Sequence, residues 1–260
     1  MNRIAKAFAH GKAFIGFITA GDPSLDASEA FVLEMAEKGA DLIELGIPFS
    51  DPIAEGPVIQ EANIRALNAG VTLEKVFTLV ERLRQKTNIP LAFLSYFNPI
   101  FRYGCDAFFK RCSQAGVDGI IIPDLPFEEQ GEALAVAREH GVAFISLIAP
   151  TSDDRIKAIA GNAESFLYVV SSLGVTGVRR EIKTDLRSII QVVRTHTPLP
   201  CAVGFGISTP EQAAAIAEAA DGVIVGSAIV KIIAEYGEAA AAPLGEYVQK
   251  MKAAITAKKA

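Results

Sequence analysis

Eight short apolar runs alternate with longer amphipathic segments along the 260-residue chain. Each run is continuously apolar, which is typical of parallel strands buried on both faces. The segments between them have the length and spacing of helices. This repeated strand–helix alternation predicts a closed (β/α)8 TIM barrel, and a doubly wound open sheet is the alternative. The apolar runs begin at Phe14, Ala40, Pro90, Gly116, Val142, Phe166, Pro200 and Asp221.

Six amphipathic segments are predicted as helices. Gly39, Gly116 and Gly141 each follow such a segment and predict a left-handed C-terminal cap before the next strand. The sequence contains no linker or composition break, so we expect residues 1–260 to form one barrel domain. The predicted helices are Leu25–Lys38, Leu73–Lys86, Asp106–Ala115, Glu128–His140, Asp185–Arg194 and Pro210–Ala219.

Composition argues against several classes of function. The net charge is −5 and no run of basic residues is longer than two, as in the tail pair Lys258-Lys259, so nucleic acid and anionic membranes are not expected as partners. Three scattered cysteines match neither a disulfide framework nor a metal site. The apolar runs are too short to span a bilayer, and the N-terminus lacks the features of a signal peptide. These features predict a cytoplasmic protein.

Carboxylates follow the second predicted strand, at the end of the barrel where such enzymes have their active sites. Glu44 lies between two apolar residues of that strand, so we expect it to be buried with a raised pKa, as suits a general acid. The alternatives are an outward-facing residue in an ion pair with a helix and a residue solvated at the rim. Asp51 and Glu55 lie in the loop that follows, where a turn residue and a solvated carboxylate are the alternatives. The three histidines precede strands and no lysine ends one, which disfavours metal and Schiff-base chemistry.

Glycine motifs follow the last three predicted strands, which are neighbours in a barrel. They read GVTG from Gly174, GFGIS from Gly204 and GSAIV from Gly226. Barrel enzymes often bind phosphate with backbone N–H groups from these loops and from a short helix N-terminus. Each motif alone is equally consistent with a tight turn. Together they predict a phosphate site.

Seven motifs along the chain together carry a specific resemblance. They are ITAGDP (18–23), ELGIPFSDP (44–52), GPVIQ (56–60), PDLPFEE (123–129), GVTG (174–177), GFGIS (204–208) and GSAIVK (226–231). With these motifs the sequence resembles the tryptophan synthase alpha chain family from about Phe14 to Met251. The family is a TIM barrel that cleaves indole-3-glycerol phosphate to indole and D-glyceraldehyde 3-phosphate in tryptophan biosynthesis. The resemblance implies a lyase that needs no metal or organic cofactor, in an alpha2-beta2 assembly with a beta chain that carries PLP.

The resemblance also implies roles for individual residues. Glu44 matches the general acid–base, and Glu55 the carboxylate that accepts a hydrogen bond from the indole N–H. Tyr96 would lie near the glycerol moiety, and Thr176 in the loop after the sixth strand would steer the second carboxylate. The indole pocket would comprise Phe17, Leu94, Ile121, Tyr168 and Phe205. The phosphate would be bound by Gly177, Gly206, Gly226 and Ser227. The residues toward the beta chain would be Pro48, Asp51 and Asn98.

One residue departs from the family pattern. The second carboxylate is normally an aspartate, and here it is Glu55, whose extra methylene moves the carboxylate by roughly 1 Å. Three explanations are open: the loop that carries Glu55 shifts to compensate, the active site is weakened, or the substrate differs from that of the family. Two other functions stay open. One is an isomerase or epimerase acting on another phosphorylated substrate, and the other is an impaired chain that binds and activates the beta chain.

Overall fold

The computed structural model describes residues 3–170, 186–204 and 206–257. Within them, nine strand segments pair in parallel to form one sheet. The segments are β1 Ala13–Thr19, β2 Leu42–Gly46, β3 Leu91–Leu94, β4 Gly119–Ile121, β5 Ala143–Phe144, β6 Ser146–Ile148, β7 Leu167–Val170, β8 Cys201–Gly204 and β9 Gly222–Val225.

The sheet closes through the segment that contains β5 and β6. In space the order is β5-β4-β3-β2-β1-β9-β8-β7-β6, so these two short strands are its ends. Only Ile145 separates them along the chain, and its N–H donates a hydrogen bond to the Ile120 carbonyl at 2.8 Å. β5 and β6 are therefore the two halves of one barrel strand, paired to β4 on one side and β7 on the other. The predicted eight-stranded barrel is confirmed, and the open-sheet alternative is wrong.

Helices cover the outside of the barrel. All six predicted helices are present with ends shifted by a few residues, although Asp185, the expected start of one, lies outside the described residues. The helices of the described part of the chain are α1 Arg3–Ala7, α2 Leu25–Glu37, α3 Pro57–Asn68, α4 Leu73–Arg84, α5 Phe97–Tyr103, α6 Cys105–Ala115, α7 Gly131–Glu139, α8 Asp153–Asn162, α9 Leu186–His196, α10 Pro210–Ala217, α11 Ser227–Tyr236 and α12 Ala241–Thr256.

Local sequence signals explain where several helices begin and end. The Ser24 and Thr72 side chains accept N-terminal backbone hydrogen bonds of α2 and α4, as N-cap residues do. Gly39, Gly116 and Gly141 have φ angles of 106°, 94° and 72°. These positive angles confirm the left-handed glycines predicted after α2, α6 and α7.

Helix α3 was not predicted. The prolines and glycines around Glu55 indicated a long loop, but α3 begins at Pro57, with Gly56 as its N-cap. Proline is tolerated at the first helical position, because its missing N–H would have no partner within the helix there. Pro57 therefore starts a helix, and Glu55 lies just before it.

Side chains along each strand point alternately into two apolar cores, one outside the barrel wall and one inside it. Outward residues of β2, such as Ile43 and Leu45, belong to the core between barrel and helices. Leu42 and the inward residues of other strands form a second core inside the barrel, which Ile4 of α1 closes at the end where the strands begin. Because side chains alternate along a strand, Glu44 shares the inward face with Leu42.

Two glycines at the opposite end of the barrel make room for aromatic rings. A Cβ on Gly46 of β2 would lie 2.6 Å from Cζ of Phe17, and one on Gly204 of β8 would lie 2.3 Å from Oη of Tyr168. Phe17 and Tyr168 are in the neighbouring strands β1 and β7. Each ring therefore leans over the adjacent strand, which requires glycine there.

We expect Gly204→Ala to lower the free energy of unfolding by about 1–3 kcal/mol, because the new methyl group forces the buried Tyr168 ring to move. Denaturant unfolding measures this loss. Gly161→Ala is the matched control: Gly161 lies in α8 and nothing is within 4 Å of its added Cβ. It is expected to cause no loss and to add up to about 1 kcal/mol. Equal effects of the two changes would contradict the packing argument.

Candidate active site

A cavity of about 660 Å³ lies at the end of the barrel where the strands finish. Parallel strands bring the residues that end or follow each of them to one rim, so distant parts of the sequence meet here. Of the predicted site residues, the structure brings the following together around the cavity: Phe17, Glu44, Glu55, Leu94, Ile121, Tyr168, Gly206, Gly226 and Ser227.

Glu44 is buried inside the barrel, with 1 % of its surface exposed. Burial disfavours the ionised form, and it raises the pKa of the Glu44 carboxyl from 4.5 to about 8. Among the described residues, Oε1 of Glu44 has no hydrogen-bond partner. The two alternatives, the outward ion pair and the residue solvated at the rim, are therefore wrong. At neutral pH Glu44 is largely a neutral acid that can donate a proton into the cavity.

Tyr168 lines the same cavity on β7. Burial raises the pKa of its phenol well above the ordinary value, and the nearby charge of Glu44 raises it further. The phenol therefore stays protonated at neutral pH. Its ring presents an apolar face to the cavity, and its hydroxyl is the polar end of that wall.

Glu55 is the second buried carboxylate of the cavity, with 7 % of its surface exposed. Burial raises its pKa to about 7, and a hydrogen bond from Asn63 partly opposes this rise. The Nδ2 atom of Asn63 lies 2.7 Å from Oε2 of Glu55. The solvated loop carboxylate considered as an alternative is wrong. Near neutral pH Glu55 is partly ionised and can accept a hydrogen bond from a ligand.

Two further contacts support the segment that carries Glu55. The Gln60 side chain in α3 donates to the Glu55 carbonyl at 2.8 Å. The Tyr96 hydroxyl accepts a hydrogen bond from the Ala54 N–H at 2.9 Å. Tyr96 is 2 % exposed and is absent from the residues that line the cavity. The structure therefore places it behind this segment, while its expected position near the glycerol moiety stays a prediction.

The described residues of the glycine motifs that line the cavity include Gly206, Gly226 and Ser227. Gly206 has a φ of 83°, in the left-handed region that favours glycine. Gly226 is the N-cap of α11, and Ser227 is its first residue. The predicted opening of a helix at this point is confirmed. The N-terminus of α11 offers free N–H groups and a positive dipole end to an anion. Thr176, Gly177 and Phe205 lie outside the described residues.

The apolar wall is larger than the motifs indicated. Besides Phe17, Leu94 and Ile121, the cavity is lined by residues that sequence reasoning missed. Ile224 is an inward residue of β9, and the period-two alternation of that strand was a signal that would have identified it. Ile59 is in α3, so a predicted helix there was needed to find it. The missed apolar residues include Ile59, Leu125, Phe127, Phe144, Val170 and Ile224.

The residues expected to face the beta chain lie away from the cavity. Asp51 and Asn98 are exposed, and Pro48 is half-buried. The Ser50 hydroxyl donates a hydrogen bond to the Asp51 carboxylate at 2.5 Å. Two large apolar side chains near them in sequence are exposed: Ile53 by 74 % and Phe101 by 71 %. None of the three is among the residues that line the cavity.

Residues 3–170, 186–204 and 206–257 contain neither a metal-binding cluster nor a membrane-spanning helix. No group of three or more His, Cys, Asp and Glu side chains in these ranges could hold a metal ion. No helix in them is long and apolar enough to cross a membrane.

Comparison with known proteins identifies the family. The family described as "Tryptophan synthase alpha chain" matches residues 5–256. The chain belongs to this family. A tryptophan synthase alpha chain of Lactiplantibacillus plantarum is 50 % identical over 256 residues, which cover 98 % of this chain and 97 % of the relative.

Solved structures agree with this family. The tryptophan synthase subunit alpha of Legionella pneumophila superposes with a TM-score of 0.89 at 39 % identity, over 98 % of both chains. A chain from the tryptophan synthase a2b2 complex of Pyrococcus furiosus gives 0.86 at 40 % identity, over 93 % of this chain and 98 % of that one. The family is a lyase that cleaves indole-3-glycerol phosphate and has no cofactor of its own. The predicted family, fold and enzyme class are confirmed.

The raised pKa of Glu44 predicts how stability depends on pH. Between about pH 4.5 and 8 the folded state holds a proton on Glu44 that the unfolded state has lost, so stability falls as pH rises through this range. Glu44→Gln removes the titration. We therefore expect the variant to gain up to about 4 kcal/mol over the parent chain between pH 5 and pH 8.

Guanidinium unfolding of both proteins at several pH values measures this gain. Glu246→Gln changes a carboxylate of α12 whose side chain is 74 % exposed, and it serves as the matched control. A gain for Glu44→Gln that does not grow with pH would contradict burial as its cause.

Proposed function

We propose that Glu44 and Glu55 are the two catalytic groups with which this chain cleaves indole-3-glycerol phosphate. The observation that carries the proposal is the presence of two buried carboxylates with raised pKa values in one cavity. Their pKa values of about 8 and 7 differ in the direction the reaction needs. Glu44 holds its proton at a pH where Glu55 begins to lose its own, which separates the roles of acid and anion.

The first step is proton transfer to the indole ring. The neutral Glu44 donates its proton to C3 of the ring, which turns the ring into a protonated indolenine (a 3H-indolium cation) with positive charge at the ring nitrogen. The Glu55 carboxylate accepts a hydrogen bond from the indole N–H and stabilises that charge. The ring then serves as the electron sink, so the lysine of a Schiff-base aldolase is not required.

The second step is cleavage of the C–C bond. The Glu44 carboxylate, now ionised, takes the proton of the glycerol hydroxyl next to the ring. The electron pair of the breaking bond returns to the ring and neutralises the nitrogen. Indole and D-glyceraldehyde 3-phosphate result, and Glu44 has its proton back. One carboxyl group therefore acts first as acid and then as base.

The cavity walls suit the two ends of this substrate. Phe17, Leu94, Ile121 and Tyr168 offer an apolar surface for the indole ring, and Phe205 is proposed to join them. Gly206, Gly226 and Ser227 lie by the N-terminus of α11, where backbone N–H groups suit a phosphate. Gly177 is proposed to complete the phosphate site, and Thr176 is proposed to steer the Glu55 carboxylate. Tyr96 is proposed to act near the glycerol moiety.

We further propose that the chain works in the cytoplasm, in tryptophan biosynthesis, as part of an alpha2-beta2 assembly with a PLP-containing beta chain. The structural relative from Pyrococcus furiosus belongs to an a2b2 complex. Pro48, Asp51 and Asn98 are proposed to face the beta chain. The exposed Ile53 and Phe101 side chains support an interface there, because large apolar groups are enriched where proteins meet.

The proposal predicts that the purified chain releases indole from indole-3-glycerol phosphate and that a beta chain increases the rate. We expect Glu44→Gln to lower turnover at least about a hundredfold, because the proton donor is lost. Glu55→Gln is expected to lower it by a similar factor, because the charge on the indole nitrogen loses its partner. Glu55→Asp keeps the carboxylate and is expected to stay within about tenfold.

Spectrophotometric detection of indole measures these rates. A marked rise in Glu55→Asp would show that the parent glutamate is misplaced. Stimulation of the beta chain without any indole release would favour the impaired, activating chain. Turnover that does not depend on Glu44 would contradict the proposed mechanism.

The two carboxylates also predict the pH dependence. We expect kcat/KM to rise as Glu55 ionises, with its midpoint near pH 7, and to fall as Glu44 ionises near pH 8. The two limbs belong to the pair, because the groups share one cavity. Glu55→Gln is expected to remove the acid limb while the alkaline limb remains. A flat profile between pH 5 and pH 9 would contradict the proposed protonation states.

A further inference from the structure

We propose that Asn63 is a positioning residue that holds the Glu55 carboxylate in its reactive place and protonation state. This inference rests on the proposed role of Glu55. Asn63 lies in the second turn of α3, with 3 % of its surface exposed. Its Nδ2 atom donates to Oε2 of Glu55 at 2.7 Å.

Asn63 is a buried polar residue on an otherwise apolar face of α3. Ile59, Ala62 and Ala66 are the other buried residues on this face of α3, and all three are apolar. A buried amide among apolar neighbours is costly unless it is hydrogen-bonded. Its bond to Glu55 both satisfies the amide and fixes one of the two carboxylate oxygens.

Helix α3 is itself held firmly against the barrel. Ile59 and Ala62 pack with Phe17 of β1 and Val230 of α11. Arg65 donates two hydrogen bonds to Asp22, which follows β1, both at 2.8 Å. Asp22 is 1 % exposed, so this two-point contact lies in the protein rather than in solvent. The backbone of Asn63 is therefore held in place by the packing and ion pair of α3.

This support bears on the substitution of glutamate for the usual aspartate. The Glu55 side chain has one more rotatable bond than aspartate, so its carboxylate has more positions to lose when it binds a ligand. The bond from Asn63 selects one of them in advance. The Gln60 side chain fixes the backbone of Glu55, because it donates a hydrogen bond to the Glu55 carbonyl. Together they hold both the backbone and the side chain of Glu55.

The bond also favours the ionised form of Glu55, which the reaction needs. Burial opposes ionisation, and Asn63 provides the side-chain hydrogen bond that lowers the pKa. The other titratable groups that lie around Glu55 or line the cavity do not replace this bond. Arg155 lines the cavity too, but its guanidinium is paired with the Glu128 carboxylate at 2.6 and 3.0 Å. Tyr96, from the segment after β3, and Glu44, across the cavity on β2, are both acids, and Asp124 after β4 adds negative charge near Tyr96.

Asn63→Leu tests the inference because it keeps the approximate size of the side chain and removes the donor. We expect the acid limb of the kcat/KM profile to move up by about one pH unit, since a hydrogen bond to a charged group is lost. Turnover at pH 7 is expected to fall about tenfold or more, and the ratio of variant to parent turnover is expected to rise as the pH approaches 8 and Glu55 ionises in both proteins. Gln60→Met is the matched control, because it loses a bond to the Glu55 backbone and is expected to leave the acid limb in place.

A second readout does not depend on activity. The pH titration of the Glu55 carboxyl carbon by 13C NMR gives its ionisation directly, and the signal is identified by its loss in Glu55→Gln. We expect the midpoint to be higher in Asn63→Leu than in the parent chain. This result would stand even if the parent chain failed to release indole, so the proposed function and the positioning role are tested separately.

Three results would overturn the inference. They are an unchanged titration midpoint, a loss of turnover that is equal at every pH, and a shift of the same size in Gln60→Met. If Asn63→Leu does not fold, Asn63→Asp retains the shape of the side chain and places a second carboxyl against Glu55. Its acid limb is expected to move up as well, and an unmoved limb in that variant also overturns the inference.

Discussion

The strand made of β5 and β6 is the constraint on which the site depends. Because β5 pairs with β4 and β6 pairs with β7, the sheet has no free edge, and every strand runs in the same direction around the barrel. All strands therefore finish at one rim. That geometry brings Glu44 near the start of α11, although 182 positions separate Glu44 from Gly226 in the printed sequence.

Closure also sets the chemistry of the carboxylates. The inward face of a small barrel is filled with apolar side chains, so Glu44 is placed in a medium that disfavours charge. Its pKa rises because of what surrounds it and not because of a specific partner. Glu55 has a less extreme environment, since it lies at the rim and receives the bond from Asn63. The pKa values of Glu44 and Glu55 thus differ because Glu44 lies deeper in the cavity than Glu55.

Small residues complete the cavity. Gly46 and Gly204 allow the rings of Phe17 and Tyr168 to lean over the neighbouring strands, which places apolar surface around the carboxylates. Gly226 caps α11 with its N-terminus facing the cavity. Glycine therefore has two separate uses here: it leaves space for aromatic rings, and it starts a helix that suits an anion.

The sequence by itself determined the eight strands, the barrel and the burial of Glu44, because continuous apolar runs and a carboxylate between apolar residues have few other solutions. The family followed from the resemblance of motifs such as ELGIPFSDP (44–52). It did not determine helix α3, since Pro57 reads as a loop signal until its place at the first helical position is seen. Without α3 there was no reason to pair Asn63 with Glu55, or to place Ile59 in the cavity. Only the tertiary structure decided these points, because contacts between a loop residue and the next helix depend on how that helix packs against β1 and α11. The hydrogen bond from Asn63 to Glu55 is one such contact.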